Sequence, residues 1–256
     1  GGAGGAVFWG QDPNYWANPA LLGYYNGIGY QHTKQPLVCG LADDVFLEAD
    51  RFTLAAWGIG LGFSGKPFGK LRLDHGEQLS SGTGGETGES FNSYEEIEAF
   101  AFGASLSRFL QSLSHATGQD IPALDFVDFS YGYTSKDVHV NLAPSGVTQD
   151  LGGGAGSASA STSDWGLLAR LTALKSLDTV SGKPFPASLA DIGVRLDLAY
   201  GYSVQNSKDA ELYFAAADQA DPLLRLERTS FAGRIAFGGG RLFENLGVCL
   251  FARSVL

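Results

Sequence analysis

The segment Ala190–Val204, ADIGVRLDLAYGYSV, limits the folds open to this chain more than any other. Its even positions Ile192, Val194, Leu196, Leu198, Tyr200, Tyr202 and Val204 are apolar. Its odd positions Gly193, Arg195, Asp197, Ala199, Gly201 and Ser203 are small, polar or charged. Successive side chains of a strand point to opposite faces, so this is a strand with one wholly apolar face. Soluble sheets alternate too, and the decision rests on how often the pattern recurs and what fills the opposite face. It recurs at Leu22–His32, Thr53–Phe63, Tyr94–Leu110, Phe126–Leu142, Asp164–Leu174 and Thr229–Gly238. Gly247–Leu256 reads as one more strand, Leu37–Glu48 as a poorer one and Glu211–Ala215 as a short one, roughly eight to ten in all. The face opposite the large apolar residues repeatedly holds Gly, Ala, Ser, Asp or Arg, which would make a poor soluble core. At Ser135–Asp137 the alternation changes phase, which predicts a bulge or a turn into a new strand.

Only 17% of the 256 residues are charged, against roughly a quarter in an average soluble domain, and 36 are Gly. The net charge of −10, with no basic stripe, excludes a nucleic-acid backbone as partner. No stretch reaches the ~18 apolar residues of a spanning helix. The opening GGAGGAVF has no initiator Met and reads as a mature product freed of an export signal. Gly1–Gly10 lacks the Lys-Ser/Thr of a phosphate loop and reads as backbone packed in a confined space. The following QDPNYWANPALLGYY, punctuated by Pro13 and Pro19 and carrying Tyr15 and Trp16, reads as a short helix or turn tucked inside something. Asp74–Glu89 is an acidic, Gly-rich loop. The spacing of Asp74, Glu77, Glu86 and Glu89 fits no known cation loop, so these carboxylates are expected to be solvated. Pro144–Ser163 is a Gly/Ser/Ala loop. Cys39 and Cys249 match no metal spacing and are equally compatible with a disulfide and with two free thiols.

Strands of about ten residues are long enough to cross a bilayer when tilted, and in hydrocarbon a sheet must close on itself to pair its backbone. The expected fold is all-β, a transmembrane antiparallel β-barrel with bulky groups toward lipid and a cramped, wet lumen. Trp57, Trp165, Tyr200 and Tyr202 are expected as interface anchors or lipid-facing bulk. The inward charges Asp128, Arg170, Arg195, Asp197 and Arg234 form a structural network across the lumen, or else line a substrate path. The rival architecture is a soluble β-sandwich, whose buried face is normally rich in Val, Ile and Leu. The four histidines His32, His75, His115 and His139 are scattered, and no nucleophilic or paired-carboxylate constellation falls on one site. No enzyme activity, cofactor or metal is expected.

GGAGGAVFWGQDPNYWANPALLG resembles the start of the outer-membrane FadL-like barrels, most of all their PorV-like branch, which opens with a Gly-Ala cluster followed by Asn-Pro-Ala and hydrophobic residues. NSYEEIEAFAFGASLSRFL at Asn92–Leu110 is similar to the family's long strand pair. ADPLLRLERTSFAGRIAF at Ala220–Phe237 is similar to its Asp-Pro-Leu-Pro segment, with Leu224 in place of the second Pro. The resemblance implies residues 1–20 as a hatch in the lumen, carried by Gly4, Gly5, Asn18, Pro19, Ala20, Leu21 and Leu22, and residues 21–256 as the barrel. It also implies a bacterial outer-membrane location. Three roles are open: a docking and shuttle component of a type IX-like secretion or surface-assembly complex, with envelope proteins and secreted cargo as partners beside lipid; a FadL-like channel for hydrophobic or small substrates; or a structural barrel of an envelope complex. Two departures stand out: the strand count falls short of the family's, and the chain stops at ARSVL without a terminal aromatic, as an incomplete barrel or a shorter relative would.

Overall fold

In a computed structural model, the alternating segments pair edge to edge into one antiparallel sheet. The structure describes residues 15–38, 44–79, 90–118, 121, 124, 126–143, 156–172, 193–214, 219–238 and 245–255. The strands are β1 (Gly27–Pro36), β2 (Val45–Ala56), β3 (Ile59–Ser64), β4 (Leu71–Leu79), β5 (Ser90–Ser105), β6 (Val127–Ala143), β7 (Gly156–Thr172) and β8 (Gly193–Gln205). They continue with β9 (Glu211–Phe214), β10 (Gln219–Pro222), β11 (Leu226–Gly238) and β12 (Asn245–Val255). A 3-10 helix covers Pro19–Tyr24, and α1 (Leu106–Thr117) links β5 to β6. The main sheet runs β1-β2-β3-β5-β6-β7-β8-β11-β12, while β9 and β10 form a separate hairpin.

β3 and β4 are two pieces of one strand, both antiparallel to β2 and to β5. Phe63 lies opposite Phe52 and Leu71 opposite Ala49, so residues 65–70 loop out of the ladder between them. Phe68 on that excursion folds back to stack on Phe52 and to meet Phe63 at a tilt, at ring-centroid distances of 5.5 and 4.7 Å. Counting β3 and β4 together leaves nine strand positions of alternating direction, so β1 and β12 run the same way. Among the described residues no pairing joins those two strands.

Several expectations need correction. Thr53–Phe63 is a hairpin and not one strand: Trp57 (φ 54°) and Gly58 (φ 79°) make a two-residue turn with positive φ at both positions. The turn reverses the parity of the outer face: Leu54 pairs with Leu61 outside and buried Ala55 with Gly60 inside, so Ala55 does not share the face of Ile59, Leu61 and Phe63 as one continuous strand would require. Tyr94–Leu110 is strand only to Ser105. There the Ser105 hydroxyl accepts from Arg108 N (3.3 Å) and caps α1, which Gly118 closes in the left-handed conformation. The Asp74–Glu89 loop begins with the last two thirds of β4, and the Pro144–Ser163 loop ends with the first half of β7.

The slip at Ser135–Asp137 is absent as well. Ser135, Lys136 and Asp137 pair in unbroken register with Ser163, Thr162 and Ser161. What changes there is the chemistry of the two faces. Up to Tyr133 the outer face of β6 presents Val127, Phe129, Tyr131 and Tyr133 to the exterior, while Ser130, Gly132 and Thr134 face inward. Beyond it the outer residues Asp137 and His139 are polar, and the inner residues Val138 and Val140 bury themselves against Ala158, Leu212 and Phe214. β7 changes in step, from exposed Ser157, Ser159 and Ser161 to Trp165, Leu167 and Leu171 on the same face.

Aromatic rings mark the boundary. Tyr30, Phe52, Phe63 and Phe100 are successive cross-strand partners over four strands, and Phe102, Tyr133 and Trp165 continue the line. Tyr202 meets Trp165 at 5.3 Å. Below it, Ile28 (72% exposed), Leu54, Phe129, Leu167, Leu198, Tyr200 and Phe231 stand on the outside.

Candidate functional site: the inner trough and the segment it holds

A line of small residues crosses the inner face at one height. Gly60 pairs with Gly103, Gly103 with Gly132, Gly132 with Gly166, and Gly166 with Ser203. The missing side chains leave a trough as deep as a Cβ across four strands, and the Tyr15–Tyr24 segment lies in it. A Cβ on Gly60 would overlap Leu22, one on Gly103 or Gly132 the Pro19 carbonyl, and one on Gly166 the Asn18 amide. Close approach of two backbones is the reason for glycine at Gly60, Gly103 and Gly132, and the Asn18 side chain takes the space at Gly166.

The segment's conformation starts locally. Asn18 is the N-cap of the 3-10 helix: its side-chain oxygen accepts from Ala20 N at 3.0 Å, and Pro19 occupies the first helical position, where no N–H is needed. Asn18, Pro19, Ala20, Leu21 and Leu22 are all buried, the two leucines with 4% or less of their surface exposed. Leu21 packs with Leu168, Ala199 and Ala232, while Leu22 packs with Tyr15 and Ala101. So short a helix leaves carbonyls unpaired, and buried carbonyls need donors. The sheet supplies them from side chains. Ser130 Oγ donates to Ala20 O (2.6 Å), Ser203 Oγ to Ala17 O (2.7 Å), and the Gln205 amide to Trp16 O. Arg108 Nη1 donates to Tyr24 O at 2.6 Å, and the Asn18 amide returns a bond to Leu167 O at 3.1 Å.

Each end of the segment carries an aromatic ring set among cations. Trp16, stacked on Tyr15, lies 5.4 Å from Lys136 Nζ and 5.9 Å from the Arg51 guanidinium. Lys136 is itself buried in an ion pair with Asp164 (2.5 Å), whose other oxygen accepts from Asn206 N. At the far end the Tyr24 ring lies 3.6 Å from the Arg170 guanidinium carbon and 5.1 Å from that of Arg108. Burial pushes the Tyr24 hydroxyl well above its ordinary range, with Arg170 opposing and Asp128 adding to the rise. Tyr15 shifts the same way, chiefly through burial.

Of the expected lumen charges, Asp128, Arg170, Asp197 and Arg234 come together. With Tyr24 and Arg108 they line one cavity of about 330 Å³ between α1 and the adjoining ends of β6, β7, β8 and β11. Asp128 accepts from Ser105 Oγ (2.9 Å to each oxygen) and from Ser107 N (3.2 Å), and Asp197 accepts from Thr172 Oγ1 (2.9 Å). Arg195 lies on β8 opposite Ala236, and its side chain is outside the described residues, as are Gly4, Gly5, Cys39 and the Cys249 side chain.

Lys136, Asp164 and Arg108 went unread in sequence. Asp164 is in phase with Arg170, and Lys136 is in phase with Asp128 once the supposed slip is removed. Of the acidic-loop residues, Asp74 is held by Arg72 through two hydrogen bonds (2.8 and 3.1 Å). On the outer face His32, Glu48 and Asp50 could bring one ligand atom each within 4.8 Å of the others, although Asp50 already accepts from Tyr30 OH and Lys70 N.

Fold and site define a class: an all-β protein whose antiparallel sheet holds a segment of its own N-terminal region along one face and presents bulky apolar groups on the other. No family model, characterised protein or solved structure matches the chain.

Proposed function

We propose that the chain is a bacterial outer-membrane β-barrel, plugged by its own N-terminal segment, that serves as a docking and shuttle component of a type IX-like secretion or surface-assembly complex. The observation that carries the membrane part is the exchange of faces along β6 and β7. In a soluble sandwich a strand keeps one buried side along its length. A strand that leaves lipid for water must change sides: apolar residues face out within the bilayer and in above it, with aromatics at the interface. From Trp165 to Leu171 the apolar outer stretch covers about 20 Å of strand. Beyond the end of β5, Leu106, Phe109 and Leu113 expose an apolar ridge on α1 that extends this surface toward the ~25 Å of an outer-membrane band. The end carrying the β9–β10 hairpin is then the cell-surface end. An all-antiparallel ring has an even number of strands, so closing the nine positions requires an odd number of further ones.

The docking part rests on the filled trough. Asn18–Gly23 are buried against the middle of the inner face, which favours a barrel that presents surfaces over one that conducts. Affinity purification of the barrel from outer membranes tests it: envelope or secretion partners recovered with it support docking, and recovery of the barrel alone overturns it. The polar cavity under Tyr24 favours a second reading, a gated channel. Deleting Asn18–Leu22 and measuring flux into liposomes separates the two, since a gate gives increased flux and a structural plug in a docking barrel leaves substrate uptake unchanged.

A further inference from the structure

We infer that the cavity between α1 and the ends of β6, β7, β8 and β11 is a binding site for a small oxyanion, a phosphate or carboxylate group. The site goes beyond the docking reading and does not depend on it. Among the described residues three arginines, Arg108, Arg170 and Arg234, line it against two aspartates, Asp128 and Asp197, so that described lining carries one more positive than negative charge in a chain whose net charge is −10. Both carboxylates already accept hydrogen bonds, Asp128 from Ser105 Oγ and Ser107 N and Asp197 from Thr172 Oγ1. Arg108 and Arg170 are held in place by the Tyr24 ring and carbonyl. An arginine offers five N–H donors in a planar fork, and donors fixed before the ligand arrives lower the entropy lost on binding. The volume, about 330 Å³, takes a phosphate or a short-chain carboxylate. Leu124, Phe126 and Leu171 provide an apolar wall for a few carbon atoms.

The test uses the full chain, lipid-free in detergent, with inorganic phosphate as the probe and titration calorimetry as the readout. Saturable binding at about one site per chain is expected, weakened by about tenfold or more in Arg234→Gln. It should be unchanged in Arg225→Gln, whose arginine lies on the link before β11, paired with Asp209 and Glu227. Arg108→Gln repeats the test should Arg234→Gln fail to fold. Absence of saturable binding, or equal binding by the Arg234 and Arg108 variants, overturns the assignment. A parallel titration with dihexanoyl phosphatidic acid distinguishes a lipid headgroup as the source. Binding of that lipid without binding of phosphate overturns the small-anion site.

Discussion

At Gly132 the space for a single methyl group is already taken by the Pro19–Ala20 peptide. Gly132→Ala is expected to lower stability by about 3 kcal/mol through overpacking and to open the N-terminal segment to protease. Gly233→Ala, where a Cβ meets only Leu198 Cδ2 at an ordinary 3.8 Å, should be neutral. Thermal melts and limited proteolysis of the two variants check the contrast. Tyr24 adds a pH dependence. Its hydroxyl titrates above the ordinary value of 10.0 in the folded chain, so above that pH the unfolded state binds fewer protons than the native state and stability falls as pH rises. Tyr15 contributes with the same sign. Denaturant midpoints from pH 9 to 11 should drop more steeply for the native chain than for Tyr24→Phe, and equal slopes would refute the assignment. The local cap was legible, since Asn-Pro-Ala is a helix start in any context. The trough was not: its four glycines lie on four strands, and only strand register turns them into a row.

Along a single strand, β6 shows what alternation reveals and what it conceals. The period of two identified the strand, but a change in which parity is apolar looks the same in sequence whether the chain slips by one residue or its surroundings change. Here the surroundings change, and the cost of that ambiguity was Lys136. Substitution separates the two environments. Phe129→Arg should disfavour membrane insertion by about 2–4 kcal/mol, whereas Ser159→Arg on the upper outer face of β7 should leave it unaffected; membrane fractionation reads both. Removing one partner of the buried Lys136–Asp164 pair should cost about 3–5 kcal/mol, with Lys136→Met/Asp164→Asn less harmful than Lys136→Met alone. A double-mutant cycle in denaturant measures that coupling. α1 was legible in principle, since Leu106, Phe109, Leu110 and Leu113 keep the i, i+3, i+4, i+7 spacing of a helix, but the strand alternation of Phe100, Phe102 and Ala104 runs straight into Leu106 and Ser105 marks the change only through its cap.

For the molecule as a whole, the all-β class was legible because apolar alternation recurs over long segments. The order of the sheet followed from chain order, since nearly every strand pairs with its sequence neighbour. The split of one strand into β3 and β4 and the packing of the β9–β10 hairpin on Val138 and Val140 depend on contacts between distant residues, and no local pattern announces them. A consequence follows from how the N-terminal segment is held. Ser130, Ser203 and Arg108 grip its carbonyls, which every peptide carries, and the bare glycines set only a limit on girth. The trough therefore discriminates by slenderness and curvature more than by side-chain identity. An unrelated slim, turn-forming peptide presented in excess could displace the resident segment, making the chain's own N-terminal region the first competitor that any incoming guest must outbid.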